Sequence, residues 1–174
     1  MTTSGERAKA GGHWLLSAAP STEQSYGRWT TMGAAWLRPG ALFGAVLVPA
    51  DVVHGAVGLD DPVTCAAPLA EALEGGPVFF TRVGFRDGGC YTALVPASAA
   101  QTWRVAGATV HHHRALLLVP APHVIEPQEE DCPWWVVPLD GPGLLCPPDR
   151  LGDLVALGRD ATRKPTGEEG GGDA

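Results

Sequence analysis

The sequence predicts an α+β fold, a mixed or antiparallel sheet with helices packed on one face. Three observations predict it. Four apolar runs end at the same punctuation: Val46-Leu47-Val48-Pro49, Ala93-Leu94-Val95-Pro96, Leu117-Leu118-Val119-Pro120 and Trp135-Val136-Val137-Pro138. Runs of β-branched and aliphatic residues favour strands, and proline ends them because it lacks the N–H that a sheet ladder needs. Segment 62–73 reads as a helix, with Pro62 in its first turn and Gly75-Gly76 beyond its end. Segments 77–83 and 89–95 flank the turn Gly84-Phe85-Arg86-Asp87-Gly88, a hairpin signal.

The elements follow in order. Residues 1–5 are expected to be loose, and 6–19 to form a helix weakened by Gly11-Gly12 and closed by Pro20. Ser21-Thr22-Glu23-Gln24 reads as a capping box opening a short helix to Trp29. Residues 34–37 form a brief strand, turned by Arg38-Pro39-Gly40. Residues 42–48 are apolar nearly throughout, which predicts a strand buried on both faces. After the hairpin, 97–103 is a helical turn, and 109–112 with 114–119 reads as a second hairpin-like pair. Segment 126–131 is an acidic loop, 133–137 a strand with tandem tryptophans and 147–158 a closing helix. The expected organisation is an N-terminal helical segment 1–20, a domain 21–158 and a solvated, disordered tail 159–174.

A chain of 174 residues is long enough to bury one real core, and 45% hydrophobic content suits a globular protein. The net charge of −7 argues against general affinity for phosphate backbones, which requires clustered Lys and Arg; a local basic groove stays compatible with it. Four widely spaced cysteines without a C-x-x-C pair, and a polar start without a secretory pattern, predict reduced thiols and a cytoplasmic location. No run approaches the length of a membrane span, so no membrane partner is expected.

Candidate chemistry is sparse. In an extended His111-His112-His113-Arg114, His111 and His113 share a face and could meet a metal with His123 or a carboxylate. The plain reading is a polar turn of exposed histidines, with Arg114 available to a phosphate. Asp51, Asp60 and Asp61 follow a central strand, where metal ligands often stand; acids just before a helix also serve as caps. Trp134 and Trp135 must point to opposite faces of a strand, one into the core and the other partly exposed, as a plain surface residue or as a platform for a stacked base or a partner surface. No phosphate loop, G-x-S-x-G, H-E-x-x-H or dinucleotide fingerprint is present.

Several stretches in this order carry a resemblance: Gly27-Arg28-Trp29, Ala45-Val46-Leu47-Val48-Pro49, the helix 62–73, Gly76-Pro77-Val78, and Gly88-Gly89-Cys90-Tyr91-Thr92. Gly107-Ala108-Thr109-Val110, Leu117-Leu118-Val119-Pro120-Ala121-Pro122 and Trp134-Trp135 continue it. Over residues 21–158 the chain resembles the Prim-Pol domain of bacterial and phage bifunctional DNA primase–polymerases, in the archaeo-eukaryotic primase superfamily. More specifically, it looks like the short stand-alone actinobacterial type. The resemblance implies a primase/RRM-like sheet. It also places the two metal-binding acids at Val46 and Val48, the nucleotide-contacting histidine at Tyr91 and a third acid near Thr109. Valine cannot bind the divalent ions on which phosphoryl transfer depends, so the implied domain is catalytically degenerate.

The resulting expectation is a non-catalytic module that binds a nucleotide, a single-stranded nucleic acid or a protein partner in a vestigial cleft, with Arg82, Tyr91, His113 and Arg114 as contacts. No cofactor is expected. An active nucleotidyl transferase would need Mg²⁺ or Mn²⁺ and convergence of at least two of Asp51, Asp60 and Asp61. A pure protein-interaction domain, acting with a partner or as a homodimer, is the remaining alternative.

Overall fold

The computed structural model describes residues 2–82, 88–129 and 131–163. The chain begins with α1 (Ser4–Leu16), α2 (Thr22–Met32) and β1 (Ala34–Leu37), after which β2 (Gly44–Pro49) runs directly into α3 (Ala50–Val57). Next come α4 (Ala66–Ala72), β3 (Val78–Thr81), β4 (Cys90–Val95), α5 (Ala97–Thr102) and β5 (Thr109–Val110). The last elements are β6 (Leu117–Pro120), β7 (Trp134–Val137) and α6 (Pro148–Arg163).

Five strands form one sheet in the order β5-β2-β4-β3-β7, antiparallel at every pairing, and β1 pairs with β6 in a separate ribbon. From β2 to β5 the chain traces β-α-α-β-β-α-β, with its four strands side by side as fourth, first, third and second. This is the split β-α-β arrangement, here extended by β7 at the edge of β3. The prolines explain part of the pattern. Pro49 and Pro96 hold φ at −54° and cap α3 and α5, so each ends a strand by starting a helix.

Strand register divides the sheet into two faces. Val46 pairs with Ala93, Val48 with Tyr91, and Phe80 with Tyr91, which puts these side chains together on one face. That face packs under α3, α4 and α6, where Val48, Val53, Leu69, Leu151 and Leu154 surround a small void. Leu47, Thr92, Phe79 and Trp135 share the other face through Leu47↔Thr92, Phe79↔Thr92 and Phe79↔Trp135. The N-terminal helices and the β1–β6 ribbon cover part of it. The Trp135 indole meets Phe79 edge-on at 5.4 Å and donates Nε1–H to the Pro120 carbonyl at 3.2 Å, and Trp14 packs on Phe43 at 6.0 Å. Near β5 the same face is open: Leu47 and Pro49 are only half-buried.

The crossing of α3 and α6 depends on absent side chains. A Cβ on Gly158 would lie 1.8 Å from the Val52 carbonyl oxygen, and one on Gly55 would lie 3.0 Å from the Gly158 oxygen. The two backbones touch, and that contact fixes where the last turn of α6 goes.

Several local expectations are corrected. The segments 109–112 and 114–119 do not form a hairpin: β5 joins β2 in the large sheet, and β6 joins β1 in the ribbon. The strand at β2 is buried on both faces at Ala45 and Val46 and half-open on one face only from Leu47 to Pro49. Helix α1 starts at Ser4 through a capping box in which Thr3 Oγ1 accepts from Glu6 N–H at 3.2 Å and Glu6 Oε2 accepts from Thr3 N–H at 2.6 Å. At Ser21 the side chain accepts from Gln24 N–H, at 3.4 Å. Segment 62–65 is a turn ahead of α4, not its first helical turn. Helix α6 runs to Arg163, five residues past the expected stop at Gly158. The expected turn 84–88 falls mostly outside the described residues, as does the tail from 164 onward.

Candidate functional site

The open part of the sheet forms the floor of a cleft of about 600 Å³. Leu47 and Pro49 of β2, Cys90 of β4 and Thr109 of β5 make this floor. Gly107 and Ala108, just before β5, form one rim. Asp51 and Val52, in the first turn of α3, form another, and Arg159, Thr162 and Arg163 of α6 close it.

The lining is set up by neighbouring backbone. Ala50 N–H donates to the Gly89 carbonyl at 3.1 Å, while α3 has no side-chain cap, so its positive end opens on the cleft beside Asp51. Because Gly158 seats α6 against α3, Arg159 is carried across to the β5 side. Its stem lies over Gly107: a Cβ at that glycine, whose φ is +102°, would be 3.2 Å from Arg159 Cδ. One guanidinium nitrogen donates to the Ala106 carbonyl at 3.5 Å. Arg159 Nε is buried without a hydrogen-bond partner among the described residues. A buried guanidinium N–H left unpaired is costly, and a shift of the side chain towards an anion in the cleft would satisfy it.

Cys90 brings no nucleophile to this floor. Burial pushes its thiol up to about 11, from an ordinary 9.0, so at neutral pH it is an apolar S–H. No aromatic side chain lines the cleft among the described residues.

The residues expected from the sequence to make contacts lie in three separate places. Arg82 is exposed just after β3. Tyr91 lies on the helix-covered face, with its hydroxyl 2.9 Å from His54 Nε2 and its ring 5.0 Å from Phe80. Burial pushes the Tyr91 phenol up, and does the same to the thiol of Cys65. His113 and Arg114 lie in the turn after β5. His113 stacks on His112 at 4.8 Å and helps line a second cleft of about 260 Å³ with Gly40, Gln101 and His111. His111 extends the β5 ladder by donating its N–H to Ala45, and its Nε2 is buried without a partner among the described residues.

The acids separate as well. Asp51 lines the main cleft, whereas Asp60 and Asp61 lie past the far end of α3, an eight-residue helix roughly 12 Å long. Asp61 accepts from Val63 N–H at 3.0 Å and its carbonyl from Cys65 N–H at 3.0 Å, a capping role for the turn before α4. Among the described residues no group of three or more His, Cys, Asp or Glu side chains is placed to hold a metal ion. Val46 and Val48, where the resemblance puts the catalytic acids, are 0% and 1% exposed beneath the helices. Trp134 and Trp135 point to opposite faces, and both are buried.

Sequence reading missed Arg159, Thr162 and Arg163, having taken Gly158 as a helix stop. The helical spacing of Leu151, Leu154, Val155 and Gly158, which are the buried face of α6, is the signal that would have carried the helix onward. Compared with protein-family models, with curated proteins and with solved structures, the chain matches none. No helix among the described residues is long and apolar enough to cross a membrane.

Proposed function

We propose that this chain is a non-catalytic, Prim-Pol-like module that binds a phosphorylated small molecule of the nucleotide type on the open face of its sheet. The observation that carries the reading is Arg159, with a buried, unpartnered Nε in a cleft that also holds Arg163 and the start of α3, which has no side-chain cap. Two guanidiniums, the Thr109 hydroxyl and a helix N-terminus suit phosphate oxygens. Asp51 supplies an acceptor for sugar hydroxyls or a base amine.

A single strand fits this cleft less well. Sheet-face recognition of unpaired bases relies on aromatic platforms, and the tandem tryptophans are spent in the core. Catalysis by paired divalent ions requires converging carboxylates, and of the three aspartates only Asp51 lines the cleft. A protein-partner role would draw on other residues, the exposed Met32, Trp36 and Ile125.

Calorimetric titration with ATP, AMP, pyrophosphate and a short oligothymidylate tests the proposal. The expected result is binding of ATP, weakened about tenfold or more in Arg159→Gln and in Arg163→Gln. Both variants should melt at the wild-type temperature. Absence of heat with every phosphorylated compound, or unchanged affinity in both variants, would sink the proposal.

A further inference from the structure

A third cavity, of about 400 Å³, lies between α1, α2 and the segment after β6. Its floor is apolar because α1 has no side chain there. A Cβ on Gly12 would lie 3.0 Å from Pro122 Cγ and 3.8 Å from Trp29 Cζ3. The Trp29 indole is held in place by its Nε1–H bond to the Val119 carbonyl at 3.2 Å, which leaves the six-membered ring as a fixed apolar wall. Tyr26, one turn earlier on α2 and 57% exposed, forms the opposite lip.

The rim carries hydrogen-bond donors. Lys9 and His13, four residues apart on α1, lie on one side and His123 on the other; no carboxylate lines the cavity among the described residues. The nearby acid Glu6 is committed to the Thr3 cap, and Asp140 to Arg7 at 2.8 Å. In a chain of net charge −7 this is a local concentration of donors around an apolar, aromatic slot. A concave, mainly apolar cavity with a few convergent polar groups is the usual form of a small-molecule site.

We infer that this groove binds an aromatic carboxylate. The ring lies against Trp29 and Pro122 beneath Tyr26, and the carboxylate accepts hydrogen bonds from Lys9 and from the imidazoles of His13 and His123. The site is independent of the nucleotide cleft.

A pair of probes matched in size and differing in charge, 1-naphthoate and 1-naphthamide, tests it by titration of the ¹⁵N-labelled chain. With naphthoate, amide shifts should cluster in α1, α2 and residues 121–123, and naphthamide should bind about tenfold more weakly. Lys9→Glu and Tyr26→Ala change exposed side chains and should each weaken naphthoate by a similar factor, while Arg159→Gln leaves it unchanged. Equal affinity for the two probes, or no shifts in the groove at saturating naphthoate, overturns the inference.

Discussion

At Arg159 three constraints meet: a stem laid over Gly107, one N–H given to Ala106, and an Nε with no partner. The glycine is what makes the position available, since any Cβ at 107 would press on that stem and would have to adopt a positive φ. Thiols give the residue scale a second prediction. Burial raises Cys90 to about 11 and Cys146 to about 12 from an ordinary 9.0. Below about pH 8 both states hold these protons and the full stability is present. As pH rises from 9 towards 12 the unfolded chain ionises first, so stability falls, by on the order of 2–4 kcal/mol per thiol at saturation. Denaturant midpoints should therefore drop between about pH 8 and about pH 10.5, and a Cys146→Ala variant should show a shallower drop from a lower start. An identical pH slope in wild type and variant would remove Cys146 from the explanation.

At the scale of elements, the α3–α6 crossing positions the cleft. Gly158→Ala should destabilise the fold by roughly 2–3 kcal/mol, because its methyl group has only the Val52 carbonyl to displace. It should also weaken nucleotide binding through Arg159; a variant that melts like wild type would show that the helices need no such contact. This crossing also explains what the sequence could and could not tell. Glycine after an apolar periodic stretch looks like a helix stop, and nothing local distinguishes a C-cap from a glycine needed for contact with a distant helix. Gly11-Gly12 poses the same problem: it lowers helix propensity, yet α1 contains both, packed on Leu139 and Pro122. Strands were legible because their signal is local, as at β1, where the bounds 34–37 are those expected. Partner choice was not, since 109–119 reads as one hairpin while its two strands enter different sheets.

At the scale of the whole molecule, the acidic balance and the basic cleft coexist because charge is counted globally and binding is local. Net charge −7 opposes non-specific attachment to nucleic acid and leaves Arg159 and Arg163 to act at short range. The fold class was legible from alternating strand and helix signals. Of the charged groups of the site only Asp51 was legible, because Arg159 and Arg163 come from a helix end that reads as tail. The most direct measurement is a ¹H–¹⁵N spectrum of the arginine Nε groups during addition of ATP, with Arg159→Gln assigning the peak. The account predicts that the Arg159 Nε–H resonance moves and exchanges more slowly with water as phosphate pairs with it. A resonance that stays fixed at saturating ATP, in a protein that is folded, would contradict it.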